Sequence, residues 1–426
     1  MQIAAPMGHV TSQRQQARYA LVPWQSVAVS STCAAVAFLP FLQPAGPGNI
    51  SPVDALISLA MGATLCWALV DRLQIRSAYA LPVAVMAFAG LIAALFSAYP
   101  STGVLSVVQD LVLLGWAISV VTVCRTPNGL SLVMRTWAYA SVVWALLMML
   151  GALTNIDVLS GISARTGSRE SLTFGDPNMA AGYYGSSLMV VWASATPRHR
   201  VARAAAVVIL LMAIILTGSN GFTLATLAAC AVAAFIGMAR RRGILPTLGI
   251  ACAIALVGGA IGSQVSVSTV VNDAATSAPL LRDYVGRFTQ TTAGRDTLLH
   301  ETLALVEQGG LLGIGPGEVK PTLQAQQDGV AFEAHSDFTA SIAERGLLGG
   351  IGLLLLILAL AFHARRLLGP LRSGYAAVVR HPGALVGVLV AYAIAANIYE
   401  LLHFRYVWTL FAVLAAASIW GWKRAT

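Results

Sequence analysis

Long apolar runs alternate with short polar breaks along almost the whole chain. A membrane-spanning helix needs about 20 apolar residues. Twelve runs reach or approach that length: 21–42, 53–70, 78–97, 103–124, 132–153, 177–195, 201–217, 221–238, 244–263, 346–363, 383–401 and 405–422. A bilayer offers no water to backbone N–H and C=O groups, so such runs must close their hydrogen bonds internally as helices. The pattern predicts an all-α polytopic membrane protein with about twelve transmembrane helices. It divides into residues 1–263 with nine spans, a polar insert at 264–345, and residues 346–426 with three spans.

The breaks between runs set the orientation, because Lys and Arg accumulate on the cytoplasmic side of membrane proteins. With the N-terminus in the cytoplasm, the breaks holding Arg72, Arg76, Arg125, Arg198, Arg200, Arg240–Arg242, Arg365, Arg366, Arg372 and Arg380 all face inward. Of the 17 acids, only Asp71 then lies inside and only Asp110 falls mid-span. An even number of spans returns the C-terminus to the cytoplasm.

Composition agrees. Charged residues make up 10% of the chain, against about 25% in soluble domains. The net charge of +9 is scattered in short clusters between spans, which is the topogenic pattern and argues against a nucleic-acid partner. Cys33, Cys66, Cys124, Cys230 and Cys252 all sit inside apolar runs. Their spacing suits neither a zinc site nor a disulfide framework, so they read as small packing residues. The first run, preceded by Arg14 and Arg18, reads as a retained span rather than a removed leader.

On the outer side two breaks are long, 154–176 and 264–345. Loops of that length are usually functional. In the second, "GRDTLLHETLALVEQGG" (294–310) carries a one-sided apolar stripe and predicts a helix ended by Gly309-Gly310. "GIGPGE" (313–318) predicts a turn: it lacks the Lys-Ser/Thr of a phosphate loop and follows no strand. A second helix should start near His335, helped by Ser336 and Asp337, and run into the tenth span.

The candidate chemistry lies on this outer side. Arg165, Arg169, Arg287, Arg295, Arg345 and Arg405 stand where positive charge is disfavoured. Snorkelling accounts for any one of them, but the set points to an anionic ligand. The planar guanidinium matches phosphate and needs no metal. His335, with Glu333 and Asp337 two positions away on either side, reads either as a solvated helix cap or as a base held in one tautomer. Asp110, alone at mid-span, is a functional candidate by position. No spacing of His and carboxylates suits a metal, so neither metal nor cofactor is expected.

Four stretches, taken in order, resemble the O-antigen ligase and O-antigen polymerase superfamily of bacterial inner-membrane glycosyltransferases. They are "RESLTFGDPNMAAGY" (169–183), "LTGSNGF" (216–222), "TAGRDTLLHETL" (292–303), and "GIGPGE" followed by "AHSDFTASIAERGLLGG" (334–350). The resemblance implies a GT-C-like membrane fold with the insert on the periplasmic side of a Gram-negative inner membrane. It makes His335 the essential histidine and Arg295 the loop arginine that holds a donor diphosphate. Arg169, Arg287 and Arg165 join as diphosphate-binding candidates. Asp337, Asn178, Asn220, Glu344, Arg405 and His403 are candidate supporting residues. Asn220 departs from the pattern, since many relatives carry arginine there.

The implied reaction moves a glycan from undecaprenyl diphosphate to a sugar hydroxyl of lipid A–core, without a metal and with inversion. Implied partners are the lipid-linked donor, the lipid A–core acceptor and membrane lipids, for a monomer or weak homo-oligomer. Polymerase and protein O-oligosaccharyltransferase share donor and span plan with ligase; the late position of the large insert favours ligase. A secondary transporter fits the span count, but it would carry more mid-span charge and discontinuous helices near the midplane. A non-catalytic assembly scaffold is the remaining reading.

Overall fold

The computed structural model describes residues 23–44, 50–154, 156–161, 169–264, 300, 302–326 and 336–423. Each of the twelve apolar runs lies on a helix. In chain order the helices are α1 (Trp24–Ala37), α2 (Pro52–Val70), α3 (Ala80–Leu95), α4 (Pro100–Val123), α5 (Pro127–Thr154), α6 (Asp157–Ser160), α7 (Pro177–Ser194), α8 (Arg200–Thr217), α9 (Asn220–Arg242) and α10 (Ile244–Gln264). They continue as α11 (Val319–Gln326), α12 (Asp337–Leu367), α13 (Ser373–Val378), α14 (Pro382–Ala395) and α15 (Arg405–Gly421). Six of them, α2, α4, α5, α8, α9 and α12, are long and apolar enough to cross a membrane.

Local chemistry starts these helices where the polar breaks end. Ser51 and Asp54 form a capping box before α2, with Pro52 in its first turn. Asp176 caps α7, its Oδ1 accepting from the backbone N–H of Asn178 at 2.6 Å. Ser336 caps α12 through Thr339 N–H.

The core is built around α7 and α15, which are buried along almost their whole length. A helix buried on all sides need not be the most apolar one. Buried side chains instead tie it to its neighbours: Trp137 Nε1 donates to Ser187 Oγ at 2.9 Å, Trp116 Nε1 to Thr409 Oγ1 at 2.9 Å, and Tyr79 OH to the Phe411 carbonyl at 2.8 Å. Small residues also let helices touch closely: a side chain at Gly387 of α14 would meet the Ala229 carbonyl of α9. Outward faces carry exposed Leu59, Leu69, Phe88, Leu95, Leu146, Leu227 and Leu358, a surface suited to lipid.

Loop contacts sort into two ends. At one end Arg372 N–H donates to the Gly421 carbonyl, Tyr375 OH to the Cys124 carbonyl, and His381 N–H to the Ala193 carbonyl. The basic breaks gather there. At the other end residues 302–326 and 336–350 meet the starts of α2 and α4, with Tyr99 N–H donating to Glu318 Oε1 at 2.8 Å. Residues 302–309 are helical. From this stretch Leu305 packs with Val319, Leu323, Ala340 and Ala343 as a small satellite core.

Two expectations from the pattern are corrected. The helix that begins at Asp337 does not run straight into the tenth span: it breaks at Gly346 (φ 62°, ψ −161°). That backbone conformation favours glycine. A side chain there would also collide with the Leu311 carbonyl, which instead accepts Leu347 N–H at 3.2 Å. The eleventh run, expected to be helical over 383–401, stops at Ala395. Residues 396–404 cross the end of the bundle instead. The Asp337 carboxylate takes the Leu401 and Leu402 N–H groups that would otherwise continue a helix.

Candidate active site

At the end of the bundle that holds residues 302–326 and 336–350, a cleft of about 650 Å³ opens between α2, α4, the first part of α12 and the 396–404 crossing. Its lining is rich in ionisable groups: Asp54, Asp110, Asp337, Glu344, Glu400, Lys320, Arg345, His403 and Arg405. Exposed Leu105, Val108 and Val112 of α4 also line it. The cleft thus joins a charged interior to an apolar edge, which suits a polar head carried on a hydrocarbon tail.

Each charge is held by the fold. Arg405 grips Asp54 in a two-pronged pair, Nε to Oδ1 at 2.8 Å and Nη2 to Oδ2 at 2.6 Å. The same carboxylate accepts Ser51 N–H at 2.8 Å, so the capping box and the ion pair share one acid. Deeper down, Arg345 Nη2 lies 2.8 Å from Asp110 Oδ2. Asp110 sits about 15 Å along α4 from Pro100. The mid-span acid therefore has a cation opposite it. Arg345 and Arg405, which sequence alone leaves as outward-facing charges, are engaged with acids of this chain.

"GIGPGE" is the predicted turn, and what it cradles is a carboxylate of this chain. Gly313, Gly315 and Gly317 all have positive φ, at 84°, 119° and 75°. Ile314 N–H and Gly315 N–H donate to the Ala343 and Glu344 carbonyls at 2.8 and 3.0 Å. The Glu344 carboxylate accepts from the backbone N–H groups of Gly317 and Val319. Two backbone N–H groups at the end of the turn thus hold this carboxylate. Glu344 beside Arg345 is thereby locked against the cleft wall.

Asp337 Oδ2 accepts Leu401 N–H at 2.9 Å and Oδ1 accepts Leu402 N–H at 3.2 Å. Its own N–H donates to the Ala396 carbonyl at 2.9 Å. Asp337 thus anchors the segment carrying Glu400 and His403 into the cleft, and it fixes the chain two residues after His335. His403 packs edge-on against Phe404 at 4.3 Å between ring centroids.

A second cluster lies across that segment, where Tyr399 stacks on Phe222 at 5.1 Å. Arg169 Nε donates to the Thr217 carbonyl at 2.9 Å and Nη2 to Asn178 Oδ1 at 2.8 Å. Ser219 Oγ donates to the same Asn178 oxygen at 2.8 Å. Arg169 and Asn178 are brought together, and Asn220 opens α9 beside them. One role of the Arg169 fork is to tie the starts of α7 and α9 to the end of α8.

Glu170, which sequence reasoning passed over because Arg169 drew attention, is buried, and its Oε2 has no hydrogen-bond partner among the described residues. Burial pushes its carboxyl up to about 7. A raised acid pKa means the folded chain binds the proton more tightly than the unfolded one. The group's contribution to stability is therefore most favourable below the ordinary carboxylate range and is lost as pH rises towards about 7. We expect Glu170→Gln to melt above the wild type at about pH 8 and the gap to close towards about pH 5. An equal gap at both pH values in a detergent thermal melt would refute this account.

His335, Arg295, Arg287 and Arg165 lie outside the described residues. Of the other cleft residues, Asp54 reads in the sequence as an ordinary helix-start acid, and Glu400 is hidden at the edge of an apolar run.

Comparison with known proteins adds one positive finding. Residues 205–354 match the family model described as O-antigen ligase. No curated protein matches the chain.

Proposed function

We propose that the chain is an O-antigen ligase, a reading supported by the match of residues 205–354 to the family model described as O-antigen ligase. It would transfer a glycan from undecaprenyl diphosphate to a sugar hydroxyl of lipid A–core on the periplasmic face of a Gram-negative inner membrane. The observation that carries this reading is the cleft itself, charged within and apolar along one edge. Donor and acceptor are both polar glycans on hydrocarbon anchors, and such a cleft accommodates both parts. The matched segment supplies the 313–318 turn, the start of α11 and the first part of α12, which line one wall.

The chemistry is a displacement at the anomeric carbon. The acceptor oxygen bonds to that carbon while the bond to the diphosphate oxygen breaks, and the leaving diphosphate takes the electron pair. His335 accepts the hydroxyl proton, a contribution of about 100- to 10,000-fold. Arg295, with Arg169, Arg287 and Arg165, stabilises the charge on the departing diphosphate. Attack opposite the leaving group inverts configuration. The diphosphate brings its own activation, so no nucleotide or metal is called for.

The test is transfer by purified protein with a defined lipid-linked donor, offering either lipid A–core or a second donor molecule as acceptor. Ligase activity puts glycan on lipid A–core. Elongation of the lipid-linked glycan alone would replace this reading with a polymerase, and no transfer to either would overturn glycan transfer altogether.

A further inference from the structure

A second cavity, of about 720 Å³, lies at the opposite end of the bundle, away from every described residue of the proposed site. It is formed where the last turn of α9 meets the start of α14 and the 369–380 segment. Arg240, Arg241, Arg242 and Arg380 line it, together with His381, and no acid does.

Three features separate this cavity from ordinary topogenic charge. Consecutive arginines at a helix C-terminus favour its carbonyl end, which explains one or two of them. It does not explain Arg380, which comes from a different segment and converges on the same space. Nor do acids of this chain answer these four arginines: none forms an ion pair with an acid among the described residues. His381 is held below its ordinary value by burial and by the fields of Arg241, Arg203 and Arg380. The cavity therefore carries a concentrated positive field that no acid among the described residues balances.

The walls point to the chemistry of the ligand. Above the arginines the cavity continues along Trp192, Ala233, Ile236 and Gly237 of α7 and α9. These are apolar or lack a side chain, and Ala234 and Gly237 are exposed. A phosphate at the arginines would leave an attached hydrocarbon chain free to follow this groove. Free phosphate would use the arginines and leave the groove empty. Guanidinium forks suit a phosphate diester, and basic pockets between membrane helices on the basic side suit anionic headgroups.

We propose that this cavity is a binding site for an anionic phospholipid, its headgroup phosphate held by Arg240–Arg242 and Arg380 and an acyl chain lying against α7 and α9. It stands independently of the glycan-transfer reading, because it shares no residue with the cleft.

The experiment is native mass spectrometry of the full chain released from detergent, with phosphatidylglycerol, phosphatidylcholine or inorganic phosphate added. Wild type is expected to retain phosphatidylglycerol over phosphatidylcholine by about tenfold or more. Arg241→Ala with Arg380→Ala should remove that preference, while Arg198→Ala, an exposed arginine that does not line the cavity, should keep it. The altered side chains are exposed, so the melting temperature in zwitterionic lipid should not change, which separates lost binding from lost folding. Equal retention of both lipids by wild type, or an undiminished preference in the double variant, overturns the proposal. Displacement of the lipid by millimolar phosphate would reassign the site to a free anion and overturn it equally.

Discussion

Replacing His335 by alanine is expected to lower glycan transfer about 100- to 10,000-fold, with protein yield and melting temperature unchanged. A sugar hydroxyl is a poor nucleophile near neutral pH, and an imidazole within hydrogen-bond reach supplies the missing basicity. The next residue provides the control. Ser336 caps α12, and losing a cap costs about 1 kcal/mol. Ser336→Ala should therefore lower the melting temperature and leave most of the transfer rate. Asp337 tightens the comparison, because its carboxylate is spent on Leu401 and Leu402 N–H. Asp337→Asn should loosen the 396–404 crossing, showing as weaker acceptor binding more than as a slower chemical step. Full activity of His335→Ala would remove the histidine from the mechanism. Equal losses in His335→Ala and Ser336→Ala would reduce it to part of a helix start.

Much of the fold was legible because membrane helices obey one strong rule: their backbones must be satisfied internally. Every apolar run therefore coincides with a helix. What was not legible is where side chains override that rule. Gly346 looks like one more small residue in "ERGLLGG", and its φ of 62° is set by the Leu311 carbonyl far away in sequence. The run at 383–401 looks continuous, yet its helix stops at Ala395 and Asp337, distant in sequence, holds the Leu401 and Leu402 N–H groups beyond it. The candidate site shows the same division. The role of Ser336 as a cap follows from its local motif. The Arg405–Asp54 and Arg345–Asp110 pairs do not, because their members lie hundreds of residues apart and nothing in spacing joins them. The glycine cluster was legible as a turn, but not that Gly317 and Val319 N–H hold the carboxylate of Glu344.

Removing Arg345 should be the most damaging single change to stability in the cleft. Asp110 and Arg345 lie 2.8 Å apart with side chains only 17% and 13% exposed. Breaking such a pair by deleting one member costs about 3–5 kcal/mol, because the remaining charge is left buried and uncompensated. Arg345 also faces Glu344, so Arg345→Ala leaves two acids without their cation. Asp110→Asn should cost less, since Arg345 then still has Glu344 beside it and Glu344 keeps the Gly317 and Val319 N–H groups. Replacing both members together by leucine should recover most of the lost stability, as hydrophobic substitutes for buried pairs commonly do. A double-mutant cycle on melting free energies reads the coupling directly, and additive single and double values would show that the pair is not coupled. The same double variant separates two roles for Asp110. If the pair serves only to close α12 against α4, transfer returns with stability. If its charges also order the acceptor in the cleft, stability returns and transfer does not. The second result is the one expected, because the pair lines the cleft that the proposed acceptor must enter.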